Sequence, residues 1–398
     1  MRWLLQGSIY FNPIKKTYLM KKPYPMKTFT YILGLLMALT GIKSYVQAQG
    51  CVAIRQFSGV GNALNQGEIL QKGDLNIGAN YRYFRSFRHF KGTHEEPDRV
   101  ANNTEVINWS HSVDLNVSYA LTDRVYVAAS LPFVYNERSS LYEHGRNSRH
   151  TSYSGGIADI RLGGGYWLFG GEKAAKGNMA LGASIKLPTG NYNAKSTFYN
   201  VGPEGSPQVR PVDQSIQQGD GGVGLILDTQ GLRFLKNNFI VYYDGFYLIN
   251  PRETNGTRTF RETLNPILSN ESIMAVPDQF AFRAGLFRSL FVHGFGALLG
   301  GRIEGVPVRD LIGGNEGFRR PGYVISVEPG ISYMVKDFTL SLNVPVAISR
   351  NRTRSVTDIA ASTPDNYRHG DAAFADYLVN VGLAWRISKK ESKLFKLN

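Results

Sequence analysis

The sequence predicts an all-β protein: a transmembrane, antiparallel, up-and-down β-barrel of about twelve strands, with long extracellular loops and short periplasmic turns. Three observations carry that prediction. From about residue 74 to 387 the chain alternates apolar and polar residues with period two, as strands with one apolar and one polar face do. The connections between these strands alternate as well, long and then short. Beyond the N-terminal leader no apolar run reaches 18 residues, which excludes spanning helices. A hydrophobic fraction of 42% and a mean hydropathy of -0.22 resemble those of a soluble protein. In a membrane barrel, however, only every second residue meets lipid, so the average stays modest.

The stretch from Trp109 to Tyr119 shows the pattern. Its odd positions are apolar or aromatic apart from His111, and its even positions are polar. After the turn at 121–124, Val125, Val127, Ala129, Leu131, Phe133 and Tyr135 resume the apolar face. Twelve such segments are expected near 74–86, 106–120, 125–135, 156–168, 178–188, 221–228, 239–249, 279–288, 291–302, 323–334, 338–348 and 376–387. Connections at 87–105, 136–155, 189–220, 250–278, 303–322 and 349–375 are long, and those at 121–124, 169–177, 229–238, 289–290 and 335–337 are short. An even strand count then places both termini on the periplasmic side. Tyr119, Tyr135, Tyr166, Tyr247, Tyr323, Tyr333, Tyr377 and Trp385 fall near strand ends on the apolar face, as an interfacial girdle requires.

Ahead of the barrel, Met26-Lys27, the apolar run 31–40 and Val46-Gln47-Ala48 form a secretory signal peptide. Residues 1–48 therefore read as leader and signal peptide with the start at Met26, and 389–398 as a basic tail behind a barrel spanning 73–388. The leader holds seven Lys and Arg and no acid, so its removal lowers the formal charge from +14 to about +7. Export and this lower charge argue against a nucleic-acid partner. Residues 49–72, rich in Gly, Asn and Gln, either enter the lumen as a plug or lie in the periplasm. The single Cys51 excludes an intramolecular disulfide. Its context, Ala48-Gln49-Gly50, fits a lipoprotein signal poorly, and a free cysteine is the plainer reading.

The polar phase defines the expected lumen. Its charged members are Arg82, Asp114, Asp159, Arg161, Lys186, Asp244, Arg283, Arg302, Glu328, Asp376 and Arg386, with Gly163, Gly165, Gly182, Gly285 and Gly382 among their neighbours. These charges suit either a selectivity constriction or a buried ion-pair network that stiffens the wall. In the loop 303–322, Arg319 and Arg320 either meet Asp310 or Glu316 and order the loop over the mouth, or bind lipopolysaccharide phosphates. His89, His94, Glu95, Glu96 and Asp98 share one expected external loop and read as solvated charge rather than a metal site. An outer-membrane lipid hydrolase needs a Ser–His pair on the lipid face. His111-Ser112 is the nearest candidate, and there Ser112 takes the inward phase.

Three local segments resemble a group of bacterial outer-membrane barrels named for the MetA pathway of phenol degradation. These are Gly156-Ile157-Ala158-Asp159-Ile160-Arg161-Leu162-Gly163, Ile185-Lys186-Leu187-Pro188-Thr189-Gly190 and Gly219-Asp220-Gly221-Gly222-Val223-Gly224. The group is distantly related to long-chain fatty-acid channels. The resemblance covers the middle third of the chain and implies uptake of small, often hydrophobic or aromatic molecules. The block Gly313–Arg319 departs from that pattern, and Pro188-Thr189-Gly190 itself reads as a strand end at the membrane rim.

The expected function is thus a bacterial outer-membrane channel or transporter for diffusion or uptake of a small solute, and not an enzyme. The alternative is a plugged barrel with a structural, assembly or surface-binding role. The implied partners are the lipid bilayer, lipopolysaccharide, the barrel assembly machinery and the solute. No cofactor or metal is implied.

Overall fold

A computed structural model describes residues 69–388 apart from 262, 263, 265 and 291–293. The leader, Cys51, His293 and the tail 389–398 lie outside the described residues, as does most of the segment 49–72. Twelve wall strands follow one another in chain order. They are β1 (Leu75–Lys91), β2 (Ile107–Ala120), β3 (Val125–Ser140), β4 (His150–Ile157 and Arg161–Trp167) and β5 (Gly177–Lys186). Next come β6 (Gly224–Phe234), β7 (Phe239–Ile249), β8 (Gln279–Ser289) and β9 (Phe295–Val306). The wall ends with β10 (Gly322–Val335), β11 (Phe338–Asn343 and Val346–Asn351) and β12 (Ala372–Ile387). Each strand pairs antiparallel with its neighbours, and β12 closes on β1 from Leu75↔Ile387 to Phe90↔Ala372. Closure leaves no unpaired edge in lipid, where a bare peptide group costs several kcal/mol by order of magnitude.

The alternation sorts the two faces. Leu115 and Val117 are 43% exposed, whereas Asp114 between strands of the same wall is 7% exposed. Ile77, Leu181, Ile185, Leu340 and Leu383 share the outer face. Tyr119, Tyr135, Tyr166, Tyr377 and Trp385 are exposed near strand ends. Tyr247 is half-buried, and its hydroxyl donates to Asp278 at 3.0 Å.

Two strands are interrupted, each beside a proline. In β4, Ala158 to Ile160 bulge opposite Leu131 and Pro132, and Pro132 has no N–H to offer a partner. In β11 the break is Val344-Pro345. Thr189 repairs the first gap: its hydroxyl donates to Ala158 O at 2.9 Å and accepts from Ile160 N–H at 2.9 Å.

Several strands run past their expected ends. β1 continues to Lys91, β3 to Ser140 and β9 to Val306, while the outer stretch of β4 begins at His150. The alternation loses contrast there because polar side chains such as His89 and Arg138 are buried beside an apolar cluster that includes Phe90, Val306 and Phe374. The ladder nevertheless persists, since its hydrogen bonds need no lipid. His89 accordingly sits on β1 rather than in a loop. Its Nδ1 lies 2.7 Å from Asp371, and its Nε2 accepts the Val106 N–H at 2.8 Å. Among the described residues no group of His, Cys, Asp and Glu could hold a metal.

Candidate functional site: the lumen and its outer mouth

Strand phase brings most of the expected lumen charges together in one buried band. On β7 and β8, Asp244 and Arg283 are cross-strand partners, with Arg283 Nε 2.5 Å from Asp244. The Nη1 of Arg283 reaches Glu328 on β10 at 3.2 Å, and Asn343 on β11 donates to the same carboxylate at 3.2 Å. Arg302 lies directly opposite Arg283 in register and binds Glu304, two residues along its own strand. Glu304 also meets Arg82 at 3.5 Å. Because β10, β11 and β12 separate β9 from β1 in the wall, that contact bridges the lumen. On the other side Arg161 on β4 reaches over β3 to Asp114 on β2 at 3.1 Å.

The remaining charges sit elsewhere. Lys186 and Asp159 lie toward the outer end, 3.3 Å apart, and Lys186 also pairs with Asp220 and donates to Gly222 O at 2.8 Å. Asp376 holds Arg88 at 3.1 Å on the outer extension. Arg386 binds Asp74 at 2.6 Å at the short-turn end, tying the last strand to the residue ahead of the first.

The glycines leave less open space than their small size suggests, because neighbouring side chains lie over them. A Cβ on Gly182 would overlap the Asp228 carboxylate, and one on Gly165 would overlap the Tyr126 ring. Two apolar clusters also face inward. Tyr126, Ala128, Trp167 and Ala180 form one, and Ile226, Phe246, Leu248 and Ala281 the other. Ile69 packs on the first, so the residues just ahead of β1 seat against the inner face of the wall.

At the outer mouth the connection between β5 and β6 turns inward. Val212 and Ile216 are fully buried, and Ser154 and Asn136, on the inner faces of β4 and β3, both donate to Ile216 O. Asp213 anchors this loop. Arg320, from the connection between β9 and β10, grips both its oxygens at 2.8 and 2.7 Å, and Arg138 on β3 stands 3.5 Å away. Arg138 also binds Glu143 at 2.6 Å. Burial pushes the Asp213 carboxyl up, but Arg138 and Arg320 outweigh it and hold the group well below the usual carboxylate range. Arg319 pairs with Asp310 at 2.9 and 2.7 Å. Neither Arg319 nor Arg320 is presented to lipid phosphates: both are enclosed and spent on loop carboxylates.

Beside this latch, the imidazole of His144 is buried and stacked on Phe198, with ring centroids 5.2 Å apart, and its Nδ1 accepts the Tyr199 N–H at 3.0 Å. Burial, then His150 and Arg138, lower its pKa to about 4. A histidine in an opened loop titrates near 6.5. Above that pH both states are neutral and the shift has no effect. As pH falls from about 6.5 to 4, the opened loop takes up a proton that the closed loop refuses. Closure should therefore weaken by on the order of 2 kcal/mol across that window. Hydrogen exchange of residues 141–149 at pH 7 and pH 4.5 should show the loss, and His144→Gln should flatten it.

Sequence reasoning missed Glu304, Asp213, Asp220, Asp228 and Arg138. Glu304 lies on a strand extension, and continuing the even phase of β9 by one step reaches it. Asp213 lies in a loop without period, where no local signal exists; Asp220 stands in the segment 219–224 that carries the family resemblance, but nothing local marks it as the partner of Lys186. His111 faces outward and its Nδ1 lies 2.8 Å from the Tyr81 hydroxyl, while Ser112 pairs in register with lumen-facing Arg82. His111 and Ser112 thus occupy opposite faces of the wall.

No family model matches the sequence, and no curated protein matches it. In structure, the chain is similar to the COG4313 outer membrane channel from Pseudomonas putida F1, at 11% identity and a TM-score of 0.52, covering 80% of this chain and 97% of that one. More distant are the β domain of the Bordetella autotransporter BrkA and the Pseudomonas putida toluene transporter TodX. The first has 10% identity, TM-score 0.41 and coverage of 79% and 100%. The second has 10% identity, TM-score 0.39 and coverage of 85% and 96%. The likeness to the first of the three concerns the fold alone, an antiparallel β-barrel whose last strand closes on its first.

Proposed function

We propose that the protein is a channel of the bacterial outer membrane through which small, hydrophobic or aromatic solutes pass. The observation that supports this reading is the lumen. Its inner wall carries a band of charges that neutralise one another, and apolar stations at Tyr126–Trp167 and Ile226–Phe246 flank that band. A small pocket lined by Pro132, Ala158, Asp159, Lys186, Gln218, Asp220 and Gln279 lies where the inward-turned loop meets the wall. Paired charges present little net field to a neutral solute, and the apolar stations give it places to rest. The resemblance of the segments at 156–163, 185–190 and 219–224 to the MetA-pathway group points to the same solute class.

The packing of Ile69 at the inner face supports a second reading, in which residues 49–72 plug the barrel and it serves as a scaffold. Planar-bilayer recording separates the two. The full chain should conduct in small steps, and deletion of 49–72 should raise the conductance several-fold. Phenol should enter proteoliposomes faster than protein-free vesicles. If neither form conducts and phenol entry is unchanged, the channel reading is wrong and the scaffold remains.

A further inference from the structure

The lipid face of the wall carries one arginine whose position calls for an anionic partner. On β1 the residues Tyr81, Tyr83, Arg85 and Phe87 point outward, and Arg82 and Ser86 between them are buried. Arg85 is exposed, with its guanidinium carbon 4.4 Å from the Phe87 ring centroid and 5.8 Å from that of Trp109, its cross-strand partner. No ion pair or hydrogen bond ties its side chain to a carboxylate among the described residues. That contrasts with the lumen, where every arginine of the central band meets an acid.

Its level in the membrane follows from the register. Leu75 pairs with Tyr119 and Ile387 at the short-turn end, and Arg85 lies ten residues further along β1. At about 3.3 Å per residue and a tilt near 40°, that is a climb of roughly 25 Å, the height of the apolar band of an outer-membrane barrel. Arg85 therefore sits where the outer acyl chains give way to headgroups. A lipid-facing arginine is tolerated there, and it is poorly tolerated at the midplane. The aromatic planes on either side hold the guanidinium by cation–π contact while leaving its N–H fork open. The Tyr83 ring, two residues below, completes an aromatic wall at the acyl boundary.

We propose that Arg85, framed by Phe87 and Trp109, binds a phosphate of the phosphorylated glycolipid headgroups that form the outer leaflet. A guanidinium fork matches phosphate oxygens in two parallel hydrogen bonds, and the aromatic rings pack on the adjoining sugar and acyl chain. This assignment rests on the reading that the long-loop end faces outward in an outer membrane. It places the lipid contact on the wall rather than on Arg319 and Arg320.

The test uses the full chain in detergent, titrated with bis-phosphorylated lipid A and with lipid A stripped of phosphate, and bound lipid is counted by native mass spectrometry. Retention of the phosphorylated form should be about tenfold stronger. Arg85→Gln should abolish the preference, Arg85→Lys should keep part of it, and Arg288→Gln at the opposite rim should leave it intact. Heat-modifiable electrophoretic mobility checks that each variant forms a barrel. Equal retention of both lipids by the unaltered protein would overturn the proposal, whatever the variants do. So would an Arg85→Gln protein that keeps the preference, or displacement of the lipid by millimolar inorganic phosphate. No step reads conductance, so a barrel that fails to conduct leaves this proposal standing, and cell fractionation tests the membrane location separately.

Discussion

Replacing Asp213 with Ala should open the outer mouth. The carboxylate is enclosed between Arg320 and Arg138, and its removal leaves Arg320 without its bidentate partner in a buried setting. Breaking a buried pair from one side costs about 3–5 kcal/mol, because the orphaned charge has lost its water as well as its partner. Here the loss falls on the connection between β5 and β6, whose small core of Ala194, Val212 and Ile216 cannot hold it alone. Residues 189–223 should become sensitive to protease added outside the cell, and single-channel conductance should rise. Asp213→Asn should fall between the two, since an amide keeps an acceptor for one N–H and loses the charge. The same carboxylate links closure to pH. Its pKa is depressed in the closed loop, so its contribution is fully present above the ordinary Asp value and fades as pH falls below it. His144 acts earlier, between about pH 6.5 and 4, in the same direction. A mouth that loosened at high pH and tightened in acid would contradict both assignments.

These two groups mark the limit of what the sequence makes legible. The wall is written in the chain because lipid on one side and a polar lumen on the other impose contrast at every second residue. Asp114, Arg161, Asp244, Arg283 and Glu328 share one buried face because a strand fixes the direction of each side chain within its pleat. The contrast weakens above the membrane, where His89 and Arg138 still occupy ladder positions but buried polar side chains share the inner face with Phe90 and Val306. Partners are harder than directions. Nothing local connects Asp213 with Arg320, 107 residues later, or Arg82 with Glu304, 222 residues later. Those contacts depend on barrel circumference and on which loops turn inward, and both are set by the closed structure as a whole. The lipid face shows the same asymmetry. Alternation shows that Arg85 points outward, but only the register against Trp109 and the distance from the inner rim give its level in the bilayer.

Arg283→Met should be the most damaging single change in the wall. Its guanidinium is the shared partner of Asp244 and Glu328, both of which are buried, and Asn343 also donates to Glu328 at 3.2 Å. Methionine approximates the volume of the arginine stem and supplies no charge, so two carboxylates would be left facing each other in a confined lumen. The expected loss is about 3–5 kcal/mol, read as a lower urea midpoint for conversion to the heat-modified form. Coupling provides the sharper test. Replacing Asp244 with Leu and Glu328 with Gln in the same chain removes the stranded charges, and a well-packed neutral triad is often as stable as the ionic one it replaces. The triple variant should therefore recover most of the stability lost by Arg283→Met, and the recovery measures the interaction rather than the packing. Arg302, opposite Arg283 in register, keeps Glu304 in every variant, so the lumen bridge to Arg82 should survive. If the triple variant were no more stable than Arg283→Met, the band would be held by side-chain packing, and charge pairing would have little part in it. If instead it recovers stability yet changes the ratio of cation to anion current, the same three residues both stiffen the wall and set what the lumen admits.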